Sequence, residues 1–244
     1  GTPMSGFWMA TIGGLVYYDK NMSSFQDIIH PDIFGRYVSG IYSDPEGNLW
    51  LNIPQTGGLM HFNTTNFYLM YGFADVESDF EHIENDPLDQ QSISGNKINK
   101  MFFDRRDNVW IATNKGLNKL SKIKNIFTSL SGGTKNENSI RGQEIKHIEI
   151  DKDNTIWLSH ENGLDHINNT GDIIAQYVSD PTDENSLLTR ETGTFEMLSN
   201  GQAWIASEHG GVSVLDVQNH LFTRHVHDPK KENSIIEGKI ECVY

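Results

Sequence analysis

The sequence predicts an all-β protein, specifically a β-propeller of five four-stranded blades. One phrase recurs along the 244-residue chain, and each copy contains one of its five tryptophans. A short apolar strand and a polar turn precede four of the copies, and no helical period persists anywhere. Successive tryptophans are 42, 60, 47 and 47 residues apart, at Trp8, Trp50, Trp110, Trp157 and Trp204.

The clearest copy of the phrase is NVWIATNKGLNKL, residues 108–120. It reads as a strand, a tight glycine turn and a second strand. Side chains alternate along a strand, so VWIAT is apolar on both of its faces. A strand of this kind is expected between stacked sheets, and Gly116 supplies the positive φ that a tight hairpin needs.

Each repeat contains four predicted strands, which we label A to D. Strand A precedes the polar turn, strand B holds the tryptophan, strand C follows the glycine turn, and strand D carries an aromatic or aliphatic residue. We predict one propeller domain over residues 1–244. Its blades cover about 6–30 together with 236–244, then 36–72, 96–130, 143–178 and 191–226.

The two ends of the chain complement each other. The first repeat begins at strand B, and residues 235–244, IIEGKIECVY, match the start of a sixth repeat. We therefore expect the C-terminal strand to complete the first blade and close the ring, which removes exposed sheet edges. The alternative is an arc that belongs to a larger ring.

Composition limits the classes of partner. The formal charge of −14 argues against nucleic acid and against anionic membrane surfaces, both of which attract basic faces. The single cysteine, Cys242, excludes a disulfide framework. The sequence shows no signal peptide and no apolar run long enough to span a bilayer. We expect no nucleic-acid binding and no direct membrane binding by this segment.

The candidate ligand-binding residues lie in the B–C turns. In an up-and-down blade these turns share one face with the D–A linkers, and here that face collects amides, imidazoles and carboxylates. The acidic insertion 73–95 falls on the same face. Polar groups around a concave mouth are typical of small-ligand sites. The predicted ligand-binding residues are Gln55, Asn114, Lys115, His160, Glu161, Asn162, Glu208 and His209.

The sequence holds no recognisable catalytic or metal-binding pattern. It contains no G-x-S-x-G, H-E-x-x-H or phosphate-loop motif, so we predict no catalytic residue, metal or cofactor. His225 and His227 lie on one side of a strand and could bind a metal, but no third ligand follows at a spacing typical of metal sites. His166 lies in strand C and is expected to be a packed strand residue.

Three phrases resemble a known family. DPEGNLW (44–50), WIATNKGLN (110–118) and DPTDENSL (180–187) are similar to the two-component regulator propeller repeat. That family forms the periplasmic sensor region of hybrid two-component histidine kinases in Bacteroides-type bacteria.

The resemblance implies a periplasmic, non-enzymatic sensor of glycan fragments that controls carbohydrate utilisation. Its implied partners are a small-molecule or oligosaccharide ligand and the remaining domains of a larger sensor protein. Family members usually carry many more repeats than the five seen here, which leaves ligand specificity open. Two alternatives also stay open, a glycan-active lyase or hydrolase on a propeller scaffold and a protein-docking scaffold.

Overall fold

The computed structural model describes residues 6–64, 80–121, 126–130, 139–235, 237–241 and 243. All nineteen elements with described bounds are β-strands, and they form five antiparallel sheets. The chain divides into two compact units. The first is Gly1–Ile98 with Ser121–Phe127, and the second is Asn99–Leu120 with Thr128–Tyr244. Among the described residues, no helix is long and apolar enough to cross a membrane.

The first unit contains two sheets. The first sheet has three strands in the order β1-β2-β3, and the second has four in the order β4-β5-β6-β7. Their bounds are β1 Gly6–Thr11, β2 Gly14–Asp19, β3 Ser24–Asp27, β4 Gly40–Ser43, β5 Leu49–Asn52, β6 Leu59–Phe62 and β7 Phe80–Ile83. The core of this unit is built around Leu15, Ile33, Leu51 and Phe62, and Trp8 meets Phe62 edge-on at 5.6 Å.

The other three sheets have four strands each, ordered β11-β10-β9-β8, β12-β13-β14-β15 and β16-β17-β18-β19. Most of the third sheet and all of the fourth and fifth lie in the second unit. The bounds are β8 Ile98–Phe103, β9 Val109–Thr113, β10 Gly116–Ser121, β11 Ile126–Leu130, β12 Ile145–Ile150, β13 Ile156–His160, β14 Gly163–Ile167, β15 Ile173–Tyr177, β16 Thr192–Met197, β17 Gln202–Ser207, β18 Val212–Asp216 and β19 Leu221–His225.

Two of the tryptophan strands, β9 and β13, are buried on both faces, as predicted. Every residue of β9 and of β13 is buried. Trp110 joins one core of the second unit, and Trp157 joins another with Phe195 and Leu215. Gly163 closes the β13–β14 hairpin at φ +136°, where a Cβ would lie 2.2 Å from the Tyr177 carbonyl oxygen. Only glycine fits there.

A polar turn with the same hydrogen bonds precedes four of the five tryptophan strands, β5, β9, β13 and β17. Its first residue is an aspartate in three sheets, and that carboxylate accepts a hydrogen bond from the indole Nε1 six residues later. Asp104 Oδ2 is 3.0 Å from Trp110 Nε1, and Asp151 Oδ2 is 3.1 Å from Trp157 Nε1. The fifth sheet keeps the same backbone turn, but Leu198 replaces the aspartate.

The fourth strand of the second sheet lies later in the chain than predicted. We expected this blade to end near residue 72 and assigned residues 73–95 to an insertion. The structure places β7 within that insertion, where Phe80 stacks on Phe62 at a centroid distance of 4.2 Å. Residues 65–79, which include the expected strand at Phe67, lie outside the described residues.

No strand that closes the first blade is found among the described residues, so the predicted ring closure stays a prediction. The first sheet has three described strands, and residues 237–241 and 243 belong to no strand. The Glu241 carbonyl accepts a hydrogen bond from Thr194 Oγ1 at 3.4 Å, and Lys239 Nζ lies 3.1 Å from Glu208 Oε2. Thr194 and Glu241 are one repeat apart, so the C-terminal segment lies beside the fifth sheet at the position that the next repeat would take. That 1–244 form a single domain stays a prediction.

Candidate functional site

The B–C turns of the fourth and fifth sheets and the linker between them form one polar surface, which we call the turn surface (residues 160–163, 188–191 and 207–211). Arg190 Nη2 donates to Asn162 Oδ1 at 2.8 Å, which joins the linker to the first turn. His209 Nε2 lies 3.6 Å from Glu191 Oε2, which joins the linker to the second turn. Arg190, Glu191 and His209 are exposed and available to a ligand.

Glu161 and Asn162 use part of their hydrogen-bonding capacity within the protein. The Glu161 carboxylate accepts the backbone N–H groups of Gln143 at 2.9 Å and Glu144 at 3.2 Å. Asn162 Nδ2 donates to the Arg141 carbonyl at 3.1 Å. These bonds fix the preceding linker over the turn, so both residues shape the surface as well as lying on it.

His160 supports the turn surface from below. Its side chain is completely buried, and its Nδ1 accepts a hydrogen bond from the Asn162 backbone N–H at 3.1 Å. A neutral imidazole that accepts at Nδ1 carries its proton on Nε2. That nitrogen lies 3.2 Å from Asp165 Oδ2, which also accepts the Arg141 backbone N–H at 2.7 Å. His160 is one of the predicted ligand-binding residues, but its buried side chain holds the turn in position rather than facing a ligand.

Glu208 is held between two lysines. Lys146 Nζ and Lys239 Nζ lie 3.2 Å and 3.1 Å from its two carboxylate oxygens. Burial alone would raise the pKa of Glu208, but the hydrogen bonds from Lys239 and Lys146 outweigh it and lower the pKa. Glu208 is thus an anion at neutral pH with its charge largely compensated.

The remaining predicted residues lie on other turns. Gln55 is exposed between β5 and β6 in the first unit. Asn114 and Lys115 form the turn between β9 and β10, where the Lys115 backbone N–H donates to Thr113 Oγ1 at 3.1 Å. The structure thus gathers His160, Glu161, Asn162, Glu208 and His209 into one region and places Gln55 in the other compact unit. Ligand binding by the predicted set stays a prediction.

A cleft of about 720 Å³ lies at the other end of the blade strands. It is formed by the A–B turns of the fourth and fifth sheets and by the C–D turn of the fifth. In sequence these turns contain only ordinary turn residues, so no local pattern indicates a cleft. The lining residues are Glu149, Ile150, Asp151, Lys152, Asp153, Met197, Leu198, Ser199, Asn200, Gly201, Gln202, Asp216, Val217 and Gln218.

Glu149 is the most perturbed carboxyl group of this cleft. Burial, and then the nearby charge of Glu196, raise its pKa to about 7. Its Oε2 is buried without a hydrogen-bond partner. On the neighbouring strand Lys100 Nζ lies 2.7 Å from His147 Nε2, and burial followed by Lys100 lowers the pKa of His147 to about 3. His147 is therefore neutral.

The repeat register is the signal that could have revealed these residues. Lys100 and His147 are one repeat apart, as are Glu149 and Glu196, so equivalent positions of successive A strands meet side by side. Within the described residues, no group of three or more histidine, cysteine, aspartate or glutamate side chains is placed to hold a metal ion.

Comparison with known families agrees with this repeat architecture. Residues 92–115, which span β8, the polar turn and β9, match the model named "Two component regulator propeller". Residues 92–115 therefore carry a two component regulator propeller repeat. The second, fourth and fifth sheets show the same order of strands and the same polar turn, whereas the first sheet has three described strands. No curated protein sequence matches the chain.

Solved structures show the same fold at low sequence identity. One, described as the extracellular domain of the hybrid two component system BT3049 from B. thetaiotaomicron, is 18% identical with a TM-score of 0.53. PorZ, from the type-IX secretion system of Porphyromonas gingivalis, is 18% identical with a TM-score of 0.60. Virginiamycin B lyase from Staphylococcus aureus is 9% identical with a TM-score of 0.56.

Each match covers a larger share of this chain than of the solved structure. The BT3049 match covers 98% of this propeller chain and 36% of that structure, and the PorZ match covers 82% and 29%. The lyase match covers 92% and 67%. The propeller chain therefore spans about a third of the length of the first two structures. At these identities the likeness shows a shared fold, and activity is not transferred with it.

Proposed function

We propose that this propeller is a non-enzymatic ligand-binding module of a larger extracytoplasmic sensor and that its ligand is an oligosaccharide. The observation that carries the proposal is the turn surface, where the Arg190–Asn162 hydrogen bond joins two loops beside the exposed His209 and Glu191. Amide, guanidinium, imidazole and carboxylate groups offer both the donors and the acceptors that sugar hydroxyls need.

Two further observations support this function. The matched repeat belongs to two-component regulators, and the BT3049 structure of the same fold is described as an extracellular domain of such a system. In a sensor of that kind the ligand has to change the conformation or contacts of the propeller relative to the rest of the protein. We accordingly propose that the other domains of the sensor are its partners and that the module works in the periplasm.

The rigid support below the turn surface fits a binding role. His160 and Asp165 are both completely buried, and Glu161 clamps two backbone N–H groups of the preceding linker. Loops held in this way lose little conformational entropy when a ligand binds, which favours affinity. The exposed side chains of Arg190 and His209 therefore face a ligand from loops whose backbone is held in position.

Calorimetric titration of the whole chain with a panel of plant and host oligosaccharides tests the proposal. We expect one glycan class to bind without being cleaved. Arg190→Ala and His209→Ala should weaken that binding at least about fivefold, since each removes a polar contact to the ligand. Arg36→Ala, which removes an exposed guanidinium from the first unit, is the matched control and should bind normally. Product release from the glycan would contradict a non-enzymatic role.

A further inference from the structure

The cleft described above is a second, separate place for a ligand. It is formed by residues 149–153, 197–202 and 216–218, at the opposite end of the blade strands from the turn surface. Its volume of about 720 Å³ lies within the range of small-molecule sites in proteins, roughly 300–1,000 Å³. The cleft lies entirely within the second compact unit.

The charge of the cleft wall is strongly negative. Glu149, Asp151, Asp153 and Asp216 line it, against the single cation of Lys152. Burial would raise the pKa of Asp151, but hydrogen bonds from Thr155 and Trp157 outweigh it and lower the pKa. A side-chain hydrogen bond from Asn219 lowers the pKa of Asp216. Both aspartates therefore keep their negative charge at neutral pH.

Glu149 offers an acceptor that the protein leaves unused. Its Oε2 is buried and makes no hydrogen bond, and Glu149 is one of the residues that line the cleft. The terminal torsion of a glutamate is broad, so rotating the carboxylate to present an oxygen to a ligand costs little energy. A buried carboxylate oxygen without a donor is unfavourable, and a charged N–H donor compensates it more strongly than a neutral hydroxyl.

We infer that the cleft binds a small organic cation through an ammonium group, with Glu149 as the counter-ion. The surrounding aspartates raise the local concentration of cations without forming the direct contact. The apolar parts of Ile150, Met197 and Val217 line the same cleft and suit the carbon chain of such a ligand. This inference is independent of the glycan site on the turn surface.

The test is calorimetric titration of the whole chain with 1,8-diaminooctane, with 1,8-octanediol as the uncharged ligand of the same length. Glu149→Gln keeps the side-chain shape and removes the charge, and we expect at least about tenfold weaker diamine binding. Gln218→Lys adds a cation to an exposed residue of the lining and should weaken binding similarly. Glu232→Gln removes one exposed carboxylate outside the cleft lining and is the control.

The outcomes separate a site from general charge attraction. Diamine binding that is weakened by Glu149→Gln and by Gln218→Lys, but not by Glu232→Gln, supports the site. Absence of diamine binding, equal binding of the diol, or equal loss in Glu232→Gln overturns it. Should Glu149→Gln fail to fold, Gln218→Lys decides. Arg190→Ala should leave diamine binding unchanged, which keeps this test apart from that of the glycan site.

The pH dependence gives a second readout. Burial and the charge of Glu196 on β16 raise the pKa of Glu149 to about 7, although Lys100 on β8 and a hydrogen bond from the Met197 backbone N–H lower it. The alkyl ammonium groups of the diamine stay charged between pH 6 and 8, whereas Glu149 goes from mostly protonated to mostly ionised. Diamine affinity should therefore rise roughly tenfold over this range. A flat profile in the wild-type protein would exclude Glu149 as the counter-ion.

Discussion

Replacing Asp104 by alanine should destabilise the second compact unit by about 2–4 kcal/mol. Asp104 is only 5% exposed and is the acceptor at the centre of the polar turn between β8 and β9. Its Oδ1 accepts the backbone N–H groups of Arg106 at 2.8 Å and Asn108 at 3.0 Å. Its Oδ2 accepts Asn108 Nδ2 at 2.8 Å and Trp110 Nε1 at 3.0 Å.

The magnitude follows from what each donor does after the substitution. Trp110 is 1% exposed, so its indole N–H has no access to water and costs about 1–3 kcal/mol when left without a partner. The Arg106 and Asn108 groups lie nearer the surface, where water replaces part of each bond, so we add about 1 kcal/mol for them together.

Urea unfolding followed by far-ultraviolet circular dichroism measures this change. Asp153→Ala is the matched control, because Asp153 is an exposed aspartate in the equivalent turn before β13. It should change the free energy of unfolding by less than about 0.5 kcal/mol. If Asp104→Ala is as mild as the control, the turn does not depend on its carboxylate and the reasoning is refuted.

Three further predictions concern the same unit. Leu198→Asp should raise the unfolding free energy by about 1 kcal/mol, because Trp204 Nε1 is buried without a partner; no gain in urea midpoint would contradict this. Burial lowers the pKa of His147 to about 3, so its contribution to the free energy of unfolding should be complete above pH 6.5 and decrease as the pH falls towards 3. In unfolding measured as a function of pH, His147→Asn should reduce that decrease. Arg224→Ala should lower the free energy of urea unfolding by about 2 kcal/mol and speed amide exchange in residues 180–187, because the guanidinium donates to four carbonyls of that linker. Wild-type stability in Arg224→Lys would refute this role of the planar guanidinium.

The recurring tryptophan phrase was sufficient to predict most of the fold. The pattern of VWIAT predicted burial on both faces, and β9 is fully buried. The glycine after it predicted the hairpin, because a positive φ at that position follows from local backbone geometry. These features are encoded within a few residues of sequence, so one chain without relatives reveals them.

Features that depend on contacts between distant residues were not predictable in this way. β7 is the fourth strand of its sheet because Phe80 stacks on Phe62, and the acidic sequence around it resembles an insertion. The C-terminal segment matches a strand A in sequence, yet its described residues meet Thr194 and Glu208 and form no strand.

The candidate site was predictable only in outline. The B–C turns were predicted to share a face, and those of the fourth and fifth blades do meet through Arg190 and Glu191, two linker residues that sequence analysis left out. The burial of His160 depends on Asp165 and on the linker above it, which no local pattern encodes. The cleft at Glu149 likewise arises from the side-by-side packing of two A strands.

The central claim is that the turn surface of the fourth and fifth blades binds an oligosaccharide. The most direct measurement is the change in amide chemical shifts of the isotopically labelled whole chain when the glycan identified by titration is added. We expect shifts concentrated at residues 160–163, 188–191 and 207–211, with smaller shifts elsewhere. Saturable binding whose shifts fall on other residues, or no glycan that changes any shift, would contradict the claim.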